Sequence, residues 1–404
     1  MYSNQFIDKV FLVIELYKCQ INNFKSLDDF VLEFSKFTCL IGLNSAGKST
    51  ILQLIDFISQ QMRGEMTEWL KVRDWEAIEL ESKTLNKKNI LIVLIFIYNE
   101  NFYIWSLGFN TNAKRIIYEN IEFIVDWNDK SKNKIIFEVE DSKFMINKDG
   151  DINKGDIIQE YEGSFLAKLK PELLPDVIVK FREYLQNIYS LDLLSPRELK
   201  KESKDGSTLG LSGENLSAFL HQFDETQKAN ILKNLQKCYP NIVNYRVNPT
   251  ANGYYALEVT EKFKDKEISN EAKYLNDGVL RLIAIFAQLE TKQSFLLFDE
   301  IENGINSELI ESLMDILIAS KHQIVVTTHS PMILNYIEDD VARESVKYIY
   351  KTKEGLTQSI PFFEIPSMAE KLEMMGAGSA YVDTNLEELI DEIEEVQKSK
   401  KEDK

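Results

Sequence analysis

Residues 42–50 read Gly-Leu-Asn-Ser-Ala-Gly-Lys-Ser-Thr, with Gly42, Gly47, Lys48 and Ser49 at the spacing G-x-x-x-x-G-K-[ST]. The apolar run Phe37–Ile41 precedes this stretch and reads as a buried strand. A helical pattern from Ser49 to about Ser59 follows it. Strand, glycine loop and helix start form the setting in which such a loop holds phosphate. Backbone N–H groups across Asn44, Ser45, Ala46, Gly47, Lys48, Ser49 and Thr50, with the positive end of the helix, face the anion. Lys48 is expected to reach the β and γ phosphates, and the Ser49 hydroxyl to ligate magnesium. The expected ligands are therefore ATP, or another nucleoside triphosphate, and Mg2+.

Composition sets the bounds around this loop. The chain has 404 residues, 44% hydrophobic and 28% charged, which suits a soluble globular protein with a sizeable core. Its formal net charge of −18 argues against broad polyanion binding driven by overall charge, though not against a local basic groove. Cys19, Cys39 and Cys238 form no C-x-x-C pair, so reduced thiols in a cytoplasmic protein are expected. No secretory signal is visible, and the longest apolar run, Ile90–Tyr98, falls far short of the roughly 20 residues a membrane helix needs.

Working outward from the loop, Val10–Gln20 and Val31–Phe34 look like strands leading into it. Short β-rich runs between Ile90 and about Asn153, separated by turn residues, suggest an antiparallel meander. Val177–Tyr189 and Leu216–Leu235 carry apolar residues at helical spacing. From Leu275 to Thr328 the chain alternates helix and strand, as an α/β sheet does. Lys347–Lys351 and Leu356–Pro361 could form a hairpin. Leu386–Glu395 is an acidic amphipathic helix that could dock a partner or fray into solvent. These patterns divide the chain into 1–63 with the phosphate loop, a β-rich lobe at 64–160, a helical insertion at 161–245, the second part of the head at 246–361, and a C-terminal segment at 362–404.

Three further motifs bear on the loop. Phe295–Phe298 is an apolar run ending in Asp299 and Glu300. A buried strand of this kind sets Asp299 beside the phosphate loop, where it holds the magnesium shell. Glu300, one position on, could orient and deprotonate an attacking water. The β-branched run Gln323–Thr328 leads into His329, which could hydrogen-bond a γ-phosphate and sense it. The other histidines, His221 and His322, read as structural; three scattered histidines make no zinc site. Asn276, Asp277 and Gly278 open a helical run and could offer N–H groups to an anion.

Taken in order, these elements resemble the nucleotide-binding head of ABC-type ATPases. More narrowly, they resemble the branch with the structural-maintenance-of-chromosomes, RecF and OLD (overcoming lysogenization defect) proteins. Gln20–Leu27 is similar to the x-I-x-N-F-K-S start of such heads. Leu275–Arg281 resembles their signature in the form L-S-D-G-x-x-R, with Asn276 in place of serine. Leu296–Glu300 matches Walker B, Asn303–Asn306 resembles the D-loop, and His329 the switch histidine. Leu193–Arg197 resembles an L-S-P-x-R element of the branch. The stretch Met374–Ala380 is similar to one in stand-alone OLD-like heads, the AAA15 family, and reads as a Gly-rich turn. The interval between Lys48 and Gly278 is too long for a transporter subunit and too short for chromosome-scale coiled coils. After Ser330 we expect no TOPRIM nuclease domain, since no Glu followed by D-x-D is visible.

The fold class expected is thus α/β, an ABC-type P-loop NTPase head with an antiparallel β subdomain and a helical insertion. The resemblance implies catalytic Lys48, Glu300 and His329, magnesium at Ser49 and Asp299, and a homodimer or higher homo-oligomer with ATP between heads. Asn276, Asp277 and Gly278 would then serve the partner's nucleotide. It also implies a switch controlling a separate effector protein, a nuclease in antiphage defence. The alternatives are a RecF-like repair ATPase binding DNA directly and a nucleotide-held scaffold. Lys83, Lys87 and Lys88, and Arg197, Lys200, Lys201 and Lys204, are either DNA contacts or a solvated face.

Overall fold

The computed structural model describes residues 14–402 apart from residues 86, 159, 192 and 193. Residues 10–13 of the first expected strand, and Leu193, lie outside them. Three strands come first: β1 (Ile14–Asn22), β2 (Phe30–Glu33) and β3 (Phe37–Ile41). A run of six follows: β4 (Asn89–Tyr98), β5 (Asn101–Asn110), β6 (Arg115–Phe123), β7 (Lys134–Glu140), β8 (Lys143–Lys148) and β9 (Asp151–Asp156). Two compact units share the chain. The first holds residues up to Phe34, Phe57–Asn187 and Lys321–Gln323, and the second holds the rest.

The first unit is built on an eight-stranded sheet ordered β2-β1-β4-β5-β6-β7-β8-β9. The meander expected from Ile90 onward is there as β4 to β9, and β1 and β2 from the N-terminal segment extend it. Strand β4 is apolar from Ile90 onward, yet only alternate residues, Ile90, Ile92, Leu94 and Phe96, are fully buried. Period-two geometry turns the intervening side chains to the other face. Phe96 stacks on Phe181 of the Asp176–Gln186 helix at a centroid distance of 3.9 Å, and Trp105 meets the same ring edge-on. Glu119 is fully buried on this side of the sheet. It accepts hydrogen bonds from Trp105 Nε1 (2.9 Å), the Ser164 hydroxyl and the Phe165 amide (3.1 Å). Burial nevertheless pushes its carboxyl up to about 7.

The second unit takes β3 and the strands that follow in sequence: β10 (Ile188–Leu191), β11 (Ile242–Pro249), β12 (Tyr255–Phe263), β13 (Lys266–Glu271), β14 (Phe295–Phe298), β15 (Gln323–Thr327), β16 (Val346–Lys351) and β17 (Thr357–Pro361). Its main sheet is ordered β10-β14-β15-β3-β16-β17. The pairs β10–β14, β15–β3 and β3–β16 are parallel, and β17 closes the edge antiparallel. Every residue of β3, β14 and β15 is buried, as a parallel sheet covered on both faces requires. Strands β11, β12 and β13 form a separate antiparallel sheet. The Asp277–Leu289 helix is buried along its whole length from Gly278.

Four local expectations change. The helix expected over Val177–Tyr189 ends at Gln186, and Tyr189 lies in β10, because a strand against β14 satisfies its backbone better than another helical turn. The stretch Leu216–Leu235 is two helices, Leu216–His221 and Glu225–Cys238. Asp224 and Gln227 form a reciprocal capping box that starts the second. The Gly-rich segment is a helix, Ala377–Val382, rather than a turn. The acidic helix, Leu386–Glu402, is docked rather than frayed: Leu389 and Ile393 enter the core of the unit. Glu392 accepts hydrogen bonds from the Ser367 amide and hydroxyl. Cys19, Cys39 and Cys238 are free and buried, as expected. Among the described residues no helix is long and apolar enough to cross a membrane.

Candidate functional site

The phosphate loop, Asp299, Glu300 and His329 all lie in the second unit, at the ends of β3, β14 and β15. The buried β3 delivers the chain into the loop, and the Lys48–Arg63 helix starts immediately after Gly47. The loop is gripped from outside by β17. Thr357, fully buried, donates its hydroxyl to the Ala46 carbonyl at 2.8 Å. Gly47 has φ +110, and a Cβ there would stand 2.3 Å from Thr357 Oγ1. Only glycine meets both conditions.

Lys48 is 5% exposed. Its ammonium donates to the carbonyls of Gly42 (2.7 Å) and Leu43 (3.1 Å), and lies 3.2 Å from His329 Nδ1. Burial draws its pKa below the ordinary lysine value, while Asp299, Glu300 and Glu302 act in the opposite direction. An ammonium has only donors, so Nδ1 of His329 is placed to accept from it, which leaves the other ring nitrogen, Nε2, free to donate. That nitrogen faces Glu300 Oε1 at 3.3 Å. Lys48, His329 and Glu300 are thereby joined in one chain of polar contacts.

The carboxylates at the end of β14 are fixed just as closely. Asp299 accepts the Ser49 hydroxyl at 2.9 Å and the Thr327 hydroxyl at 2.5 Å. The same Thr327 oxygen accepts the Glu300 amide at 2.9 Å. Glu300 has φ +46, an uncommon backbone for a non-glycine residue, and Asn303 Nδ2 donates to its carboxylate at 3.2 Å. A hydroxyl and a carboxylate set side by side are the hard oxygen donors that magnesium prefers, so Ser49 and Asp299 fit that ion.

The signature-like residues make different contacts. Asn276 caps its helix by accepting the Val279 amide at 2.8 Å, and Asp277 is ion-paired to Lys200 at 2.7 Å. Gly278 packs against the Gly304 carbonyl. Three positions on, Arg281 Nη2 donates to the Leu194 carbonyl at 2.6 Å, bringing the Leu194–Arg197 element onto the signature helix. Within the basic stretches, Lys200 is ion-paired as above, Lys201 with Glu198 and Lys87 with Asp28.

The structure thus brings Lys48, Ser49, Asp299, Glu300 and His329 into mutual contact. Asn44, Ser45 and Thr50 lie on the loop and helix start beside them, with Ala46 buried beneath. Sequence reasoning overlooked Thr327, Thr357 and Glu302. Glu302 was within reach of pattern reading, since Asp299, Glu300 and Glu302 set three carboxylates into four positions. The Thr357 contact spans 311 positions and leaves no local trace.

Two family models match the chain. Residues 15–96 match "AAA ATPase domain", and residues 185–335 match "AAA domain, putative AbiEii toxin, Type IV TA system". No curated protein matches. Among solved structures, the SmcHead bound to the C-winged helix domain of ScpA is similar at a TM-score of 0.54 and 17% identity. That match covers 85% of this chain and 96% of that one. The SMC head domain from Thermotoga maritima is matched more loosely, at a TM-score of 0.46 and 11% identity over 86% of this chain and 98% of that one. The fold is that of an SMC-type P-loop head, and two stretches of the chain match models of AAA-type ATPase domains.

Proposed function

We propose that this protein binds and hydrolyses ATP with magnesium, and that it works as a head-to-head homodimer or higher homo-oligomer. The observation that carries the reading is the continuous contact from Lys48 through His329 to Glu300, beside the Ser49–Asp299 pair. Each group has a role its chemistry suits. The loop amides and the helix start hold phosphate oxygens, and Lys48 swings from the Gly42 and Leu43 carbonyls to the β and γ phosphates. Magnesium held by Ser49 and Asp299 would supply further charge neutralisation. Glu300 accepts the proton of the attacking water, and His329 reports the γ-phosphate to Glu300.

Asn276, Asp277 and Gly278 open a helix and contact none of these five groups in the hydrogen bonds and ion pairs described above, which suits residues that act on a partner's nucleotide. ATP then closes the dimer and hydrolysis opens it. The output passes to a separate effector protein, a nuclease in bacterial antiphage defence. The resemblance to OLD-like heads supports that last step. Glu300→Gln should bind ATP and remain closed. In size-exclusion chromatography with ATP and magnesium, it should elute as a dimer at concentrations where the ADP form is a monomer. A variant that stays monomeric with saturating ATP would rule out the clamp.

A further inference from the structure

Glu302, which no motif singles out, is held at the site by three donors. One carboxylate oxygen, Oε1, accepts the Thr328 hydroxyl at 2.9 Å, the His329 amide at 2.8 Å and the Ser330 amide at 3.1 Å. Its other oxygen, Oε2, is buried without a hydrogen-bond partner among the described residues. Two consecutive backbone amides aimed at one anion form a nest, and a charged acceptor strengthens each bond. A nest fixes the φ and ψ of the residues that make it. Here those residues are His329 and its successor.

The anchor itself cannot drift. The Ile301 amide donates to the Thr327 carbonyl at 3.1 Å, the Asn303 amide to the Glu300 carbonyl at 2.9 Å, and the Ile305 amide to the Glu302 carbonyl at 3.1 Å. The turn that carries Glu302 is therefore tied to the end of β15, the strand that leads into His329. Glu302 as a whole is half-buried, but covering one of its carboxylate oxygens without a partner is costly. The cost is intelligible if the carboxylate holds a turn whose exact placement matters.

We propose that Glu302 is the positioning residue of His329: it holds the turn 328–330 so that the imidazole reaches both Lys48 and Glu300. The role rests on the reading of Lys48, His329 and Glu300 as the hydrolytic group. It extends that reading by making the acid two positions after Glu300 a fixed part of the nucleotide sensor. Glu302 acts through the backbone of the histidine.

The test separates this role from the ATPase reading by observing the histidine directly. The chain has only His221, His322 and His329, so a histidine ring NMR spectrum holds three signals, and His329→Gln identifies the third. In Glu302→Ala the His329 signal should move while the other two stay. An unmoved His329 signal overturns the proposal whether or not the protein turns over ATP. Glu302→Gln keeps an oxygen for all three donors and should leave the His329 signal in place. If Glu302→Gln displaces it as far as alanine does, positioning by hydrogen bonds is refuted. In turnover, Glu302→Ala should lower kcat by about 10- to 100-fold with ATP affinity nearly unchanged. Combined with His329→Gln it should lower kcat no further. Multiplied losses in the double variant would show that the two residues act independently.

Discussion

Replacing Gly47 by alanine probes the grip of β17 on the phosphate loop. Two penalties follow from the structure. At φ +110 an alanine is held in a conformation L-residues rarely adopt, which costs about 1–3 kcal/mol. Its Cβ would also stand 2.3 Å from Thr357 Oγ1 and 2.8 Å from Thr357 Cγ2, an overlap worth about 1–3 kcal/mol. Thr357→Ala removes both colliding atoms and leaves the backbone penalty. By itself it also strips the Ala46 carbonyl of its donor, for a loss of about 1 kcal/mol. The double variant should therefore bind ATP better than the sum of the two single losses allows. A coupling of about 1.4 kcal/mol is a tenfold difference in Kd, well within reach of a fluorescent-nucleotide titration. If the two losses simply add, the hairpin does not touch the loop in solution and the argument fails.

Glu119 offers a pH test in the first unit. Its folded pKa is raised from 4.5 to about 7, so folding takes up a proton between those values. Stability is then highest at the acid end of that window and falls as pH rises through about 7, by on the order of 3 kcal/mol. Urea melts at several pH values should show this slope in the wild type and lose it in Glu119→Gln; the same slope in both would exonerate Glu119. The Ala377–Val382 helix offers a packing test. A Cβ on Gly378 would stand 2.3 Å from the Pro331 carbonyl, so Gly378→Ala should destabilise by about 1–3 kcal/mol. An unchanged unfolding midpoint would mean that the helix packs loosely there.

The parts of the site that could be read from sequence are those written in local pattern. Phe37–Ile41 is apolar but for Thr38 and is buried at every position, as a central parallel strand must be. Phe295–Phe298 and Gln323–Thr327, apolar at its centre, are buried likewise, so the residues after them emerge together at one edge of the sheet. Contacts made across the chain were beyond such reading. Thr357 meets Ala46 because β16 pairs with β3 and β17 returns beside it, which no spacing announces. The pairing of Lys200 with Asp277 arises in the same way, from a loop folded onto the signature helix. Helical periodicity also misled: Leu216–Leu235 keeps its apolar spacing through a break that a single Asp224 cap imposes. The docked acidic helix was equally hidden, because Leu389 and Ile393 look the same in sequence whether their face is covered or bare.

Steady-state phosphate release with ATP and magnesium shows whether Glu300 and its contacts make this head an ATPase. The wild type should turn over ATP measurably, and Glu300→Gln should be slower by about 100-fold or more with ATP still bound. Equal rates in the two proteins, or none in the wild type, would contradict that role.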